Sequence, residues 1–192
     1  NGTTVYVGEE NINFASNFGA GSLTPADVKQ LVHYSDPTAG AIDNTILAAS
    51  GNISELTRTA VGDKTGSYYV FTTGDTAKRD NAVGYINIQY PTVALDVVLN
   101  DDQKKDSVAG KSVTRGTKLV FKLTDNIIDL DDEIKIEVKM PGGGTTTKFG
   151  EQDLSKMKLT GATNYTGEIN LSTAEAGTYT AQAKWPSASD FY

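Results

Sequence analysis

Apolar residues along this chain fall mainly into short runs with a period of two. Ile134, Ile136 and Val138 alternate with Lys135, Glu137 and Lys139, which turns one side of that segment to a core and the other to water. Thr4–Val7, Ser67–Thr72, Tyr85–Tyr90, Val93–Leu99 and Lys118–Leu123 are rich in β-branched and aromatic residues and predict further strands. Pro141-Gly142-Gly143-Gly144 closes the alternating segment in a turn, and Thr145–Phe149 then reads as the returning strand of a hairpin. One stretch admits two readings. Thr24-Pro25-Ala26-Asp27 offers a helix cap, a proline at the first helical position and an early acid, with Val28, Leu31 and Val32 following at helical spacing. Leu31–Tyr34 equally suits a strand, and the chain breaks at Asp36-Pro37.

A pattern recurs within the chain. Thr65-Gly66-Ser67-Tyr68-Tyr69-Val70 and Ala176-Gly177-Thr178-Tyr179-Thr180-Ala181 share a small residue, Gly, a hydroxyl, Tyr, any residue and an apolar one. In immunoglobulin-like sandwiches a tyrosine near the start of strand F bonds back to the corner upstream of it. Glu175 stands four residues before Tyr179 and fits such a corner well; Asp63 stands five before Tyr68 and fits less well. Two corners predict an all-β chain of two tandem immunoglobulin-like β-sandwich domains, residues 1–90 and 91–192. The boundary falls near Gln89–Val93, where Pro91 interrupts the strand pattern and no Gly/Ser linker is present. A junction that short is expected to hold the two domains as a stiff rod.

Composition narrows the function. The 192 residues carry a net charge of −7 with a pI near 4.7, the opposite of the clustered basic surface that nucleic acid requires. There is no cysteine, so disulfides, thiolate metal sites and cysteine nucleophiles are all excluded. No apolar run is long enough to span a bilayer, so no transmembrane segment is expected in this chain. The first residue is Asn1 rather than Met, which suits either a trimmed chain or a mature one freed of its signal peptide.

Candidate chemistry is sparse. His33 is the one histidine, and no Gly-x-Ser-x-Gly elbow presents a serine to it; Ser35 and Asp36 adjoin it, but neighbours on a strand point to opposite faces. No zinc site and no phosphate loop can be assembled, and the chain is not expected to be an enzyme. The segment Asp125–Glu133 holds five carboxylates in nine residues. It reads either as a solvated turn or as a calcium loop with Asp129, Asp131, Asp132 and Glu133 as ligands, calcium being the one candidate cofactor. Four N-x-Ser/Thr sequons, at Asn1, Asn52, Asn164 and Asn170, only slightly exceed what composition predicts. Asn52 and Asn164 look loop-exposed and are the first candidates for N-linked glycan; Asn170 closes a strand and is open to occlusion. Trp185–Tyr192 has no evident strand partner and is expected to engage another chain or lead into a further domain.

Three stretches resemble the surface-layer glycoproteins of methanogenic archaea: Asn1–Asn11 (NGTTVYVGEEN), Asp63–Phe71 (DKTGSYYVF) and Lys111–Leu123 (KSVTRGTKLVFKL) with the preceding Leu95–Asn100, and more weakly Glu175–Trp185. The resemblance implies export to the cell surface, N-glycosylation, lateral self-assembly into a homo-oligomer or polymer, and no enzymatic activity. Family members usually continue into a Thr/Pro-rich stalk and a membrane anchor; this sequence shows neither, which suits a fragment or a subunit held by its neighbours. The expected function is a structural subunit of a surface layer, sheath or extracellular filament. The alternative is a secreted adhesin or carbohydrate-binding module on the same scaffold, which would display several aromatic side chains on one face.

Overall fold

The computed structural model describes residues 2–14, 27–36, 40–77, 79–127, 132–187, 189 and 191. The described residues are almost entirely β. They divide into two compact units, Asn1–Pro91 with Phe191, and Thr92–Asp190 with Tyr192.

The first unit is built from β1 (Thr4–Tyr6), β2 (Glu10–Asn13), β3 (Gln30–Tyr34), β4 (Ile42–Leu47), β5 (Asn52–Glu55), a single helical turn α1 (Arg58–Val61), β6 (Gly66–Phe71) and β7 (Gly84–Gln89). A five-stranded sheet runs in the order β1-β7-β6-β3-β4. Its pairs are antiparallel except β1 and β7, which are parallel. β2 and β5 form a separate antiparallel pair. The period of two explains how these layers join. Leu31 of β3, Ile46 of β4, Tyr68 and Val70 of β6, and Ile86 and Ile88 of β7 share one core with Ile12 and Ile53 of the smaller pair. Leu31–Tyr34 is therefore a strand, while Thr24–Ala26 lie outside the described residues.

The outer face of the large sheet carries a second, smaller cluster of Val32, Tyr34 and Phe71, with Tyr69 and Ala82 against it. The Tyr34 hydroxyl donates to the Thr76 carbonyl at 2.9 Å, and the Arg79 guanidinium lies 5.3 Å from the centre of the Tyr69 ring. Phe191 stands edge-on to Tyr6, with ring centres 6.4 Å apart. This residue of the terminal segment thus has an aromatic partner within its own chain.

The second unit contains β8 (Val93–Leu99), β9 (Leu119–Asp125), β10 (Asp132–Lys139), the two-residue strands β11 (Thr145–Thr146), β12 (Lys148–Phe149) and β13 (Gln152–Asp153), then β14 (Met157–Leu159), β15 (Thr163–Tyr165) and β16 (Thr180–Lys184). One sheet has the order β15-β9-β8. In the other, β10 takes β16 along one edge and β11 and β14 along the opposite edge. Leu119, Phe121 and Leu123 of β9, and Ile134, Ile136 and Val138 of β10, are buried, as the alternation requires. On the solvent face of β10 the Glu137 carboxylate meets Lys184 Nζ at 2.6 Å and Lys135 Nζ at 3.0 Å. The Pro141–Gly144 turn forms as expected, with Met140 N–H donating to the Gly144 carbonyl. The returning segment is split, however: β11 pairs with β10, and β12 turns away to pair with β13.

Both units contain the tyrosine corner, with the same geometry. The Tyr68 hydroxyl donates to the Lys64 carbonyl at 2.7 Å, and the Tyr179 hydroxyl donates to the Glu175 carbonyl at 2.8 Å. Each acceptor is a main-chain oxygen four residues upstream, so the acidic side chain sought near Tyr68 is irrelevant. Gly66 and Gly177, each two residues before its tyrosine, have φ of +117° and +150°. At Gly177 a Cβ would also stand 2.6 Å from Pro141 Cβ.

Candidate functional site

The most exposed large apolar side chain described is Leu47, 77% accessible, at the end of β4; Ile42, at its beginning, is 42% accessible. With β1 as the other, β4 is one of the two edge strands of the five-stranded sheet. Its alternation is broken by a bulge: His33 pairs with Asn44 and Tyr34 with Ile42, so Asp43 is passed over. Beside β4 opens a groove of ≈ 640 Å³ that runs toward β5, with Ile46 and Ile53 among its apolar lining and Asn11, Asn13, Ser54 and Glu55 among its polar lining.

A polar cluster fixes β4 in place. Asn44 Nδ2 donates to the Tyr68 hydroxyl at 2.8 Å and to the Ala60 carbonyl at 2.9 Å, tying the strand to the tyrosine corner and to α1. Thr57 caps α1 by accepting from Ala60 N–H at 3.1 Å, and Gly62 ends it. Asp43, displaced by the bulge, lies 2.6 Å from His33 Nδ1 and 3.8 Å from Lys64 Nζ. The imidazole also packs at a tilt on the Tyr68 ring, centres 5.2 Å apart. His33 is thus partnered by Asp43 across the sheet and not by its neighbours Ser35 and Asp36. The arrangement holds a strand edge in register.

The sequons separate by environment. Asn52 begins β5 on the rim of the groove, and its amide donates to the Ser50 carbonyl at 3.2 Å. Asn170 is exposed, with its side-chain oxygen accepting from Ser172 N–H. Asn164 is committed within its own unit. Its Nδ2 donates to Asp125 at 3.1 Å and to the Gly161 carbonyl at 2.6 Å, and its Oδ1 accepts from Thr160. The sequon hydroxyl, on Thr166, is buried. Asn52 is exposed as expected, while the environments of Asn164 and Asn170 are the opposite of those expected from the sequence: the glycines near Asn164 mark a turn that its side chain organises. Asn1 lies outside the described residues.

Of the acidic run, Asp129 and Asp131 lie outside the described residues. Asp132 accepts from Glu133 N–H and from the Ser189 hydroxyl, and Glu133 is half-buried in β10. Among the described residues no group of three or more His, Cys, Asp or Glu side chains converges on a metal site, and no helix is long and apolar enough to cross a membrane. Asp125 is buried, and burial pushes its carboxyl above the ordinary range; hydrogen bonds from Ile127 N–H and Asn164 pull the other way. A raised acid favours the folded state while protonated, and that contribution is lost as pH rises through the folded pKa. The native chain is therefore expected to gain stability relative to Asp125→Asn as the pH falls from 7 toward about 4. Denaturant melts of both proteins at the two pH values read the difference, and an unchanged or reversed gap would refute it.

The chain belongs to the family described as a domain of unknown function, DUF3821, which matches residues 1–192. No curated protein and no solved structure matches it.

Proposed function

We propose that the chain is a non-enzymatic structural module of an extracellular surface layer or filament, made of two immunoglobulin-like sandwiches that associate with copies of themselves. The observation that carries this reading is the edge of β4, which among the described residues pairs with no further strand and presents the exposed side chains of Ile42 and Leu47. Soluble monomers usually protect such an edge with charges, prolines or a covering element.

The immunoglobulin-like assignment draws support from strand order. In the first unit β7-β6-β3-β4 follows the order G-F-C-C′, with β2 and β5 in the positions of B and E. In the second, β8, β9 and β15 correspond to A, B and E, and β10 and β16 to C and F. Both tyrosine corners stand at the start of strand F. The resemblance to methanogen surface-layer glycoproteins supports a cell-surface location and N-linked glycan, with Asn52 and Asn170 the accessible acceptors. The adhesin alternative asks for an open aromatic face. Tyr34, Tyr69 and Tyr85 do form a row, with ring centres 5.6 and 6.2 Å apart. Tyr34 is buried and Arg79 lies over Tyr69, so Tyr85 alone is offered, and the structural reading is preferred.

Sedimentation velocity and electron microscopy of the purified full chain over a concentration series test the proposal. Concentration-dependent oligomers or ordered arrays are expected. A chain that stays monomeric and binds glycans would replace this reading with the adhesin.

A further inference from the structure

We infer that β4 is a homotypic docking edge, in which two copies of the chain pair their β4 strands antiparallel about a two-fold axis at Thr45. This inference rests on the self-association reading and assigns it a surface.

The hydrogen-bonding groups are set out for such pairing. Ala48 N–H donates back to the Lys29 carbonyl at 2.9 Å, which fixes the alternation along β4. Ile46 and Asn44 turn their main-chain groups toward β3, and Thr45 and Leu47 turn theirs outward. The outward Thr45 N–H is capped by Asn44 Oδ1 at 2.9 Å, a local bond that the carbonyl of a second copy would replace.

The side chains are self-complementary. With Thr45 opposite Thr45, Ile46 of one copy faces Asn44 of the other. Because the bulge passes over Asp43, the next pair sets Leu47 beside Ile42 of the second copy, and the symmetry repeats this at the far end. The two most conspicuous exposed apolar groups of the strand thus cover one another twice.

Charge permits the contact. A chain of net charge −7 repels its own copy in general. Asp43 is the one ionisable residue of β4, and His33 and Lys64 already face it at 2.6 and 3.8 Å. Two edges therefore meet without opposing bare carboxylates.

The absence of cysteine allows a clean test on the full chain. Thr45→Cys is treated with a short bifunctional thiol reagent, Gln182→Cys on β16 serves as the control position, and Leu47→Lys is compared with the native chain by sedimentation. Leu47 is largely exposed, so its replacement leaves the fold intact, and a thermal melt verifies this. The inference expects dimers cross-linked at position 45 and not at 182. It also expects dimerisation on the order of a hundredfold weaker in Leu47→Lys, because the lysine enters the seam twice. Self-association that survives Leu47→Lys, without cross-linking at 45, overturns the β4 edge while leaving assembly through another surface. A monomer at every concentration overturns both the edge and the self-association reading.

Discussion

Tyr68→Phe is expected to destabilise the first sandwich by about 2 kcal/mol, a fall of roughly 10 °C in its melting temperature. The Tyr68 side chain is fully buried, and its hydroxyl joins two other elements by donating to the Lys64 carbonyl and accepting from Asn44 Nδ2. Removing one oxygen leaves the part-buried Lys64 carbonyl without its donor and frees one contact of the amide that holds β4 to α1. The cost is that of unpaired polar groups, since no cavity opens at a ring that stays in place. Tyr179→Phe makes the matched comparison. Its corner has the same geometry but lies at the surface, so water can replace the lost hydroxyl and about 0.5–1 kcal/mol is expected. Chemical melts of both variants decide the point. Equal losses would show that the corner acts through geometry alone and that burial is irrelevant.

Thr166→Val is expected to cost about 2 kcal/mol even in protein that carries no glycan. β15 ends at Tyr165, yet its ladder with β9 continues one rung further through a side chain. Thr166 Oγ1 accepts from Phe121 N–H at 3.0 Å and donates to the Gly167 carbonyl at 2.8 Å, while Thr166 N–H reaches the Phe121 carbonyl at 3.0 Å. Valine keeps the shape and strands a buried N–H. Ser54→Ala, which removes the Asn52 sequon from an exposed position on β5, is expected to change stability by less than about 0.5 kcal/mol. Both variants made in a host without N-glycosylation separate the sequon from the fold. If the two behave alike, Thr166 has no structural role. Intact-mass measurement on glycosylated material is then expected to find sugar at Asn52 or Asn170 with Asn164 bare.

The strands that could be read from the sequence are those with bulky alternation. β9 and β10 each bring branched or aromatic side chains to the core at every second position, and nothing local competes with that pattern. β16 was harder to see because its inward residues are Ala181 and Ala183, whose small side chains give almost no amphipathic signal. β4 was hidden for two reasons. Its inward positions include Asn44, which is polar because it serves the tyrosine corner, and the bulge at Asp43 shifts the period in mid-strand. That β4 lies at an edge is a property of strand order, which no local pattern encodes.

Site chemistry was legible to the extent that it was local. The spacing of Gly66 and Tyr68, and of Gly177 and Tyr179, reported the corners because the acceptor lies four residues away in the same segment. The ties from Asn164 to Asp125 and from His33 to Asp43 span longer separations and depend on register, so the sequence offered only the sequon and the lone histidine. Asp43 and Leu47 carried no motif at all. Their significance comes from the bulge and from the place of β4 at the end of the order of described strands.

The parallel pairing of the first and last strands of the opening unit has a mechanical consequence. Tension entering at Gly2 and leaving at Pro91 draws β1 and β7 past each other along their common axis. Gly2 N–H to Tyr85, Asn87 N–H to Thr3 and Val7 N–H to Gln89, at 3.1, 2.9 and 2.9 Å, then bear the load together in shear. An antiparallel pair pulled from its open end would instead unzip one bond at a time. The same arrangement that closes the sheet makes this unit resist stretching along the chain.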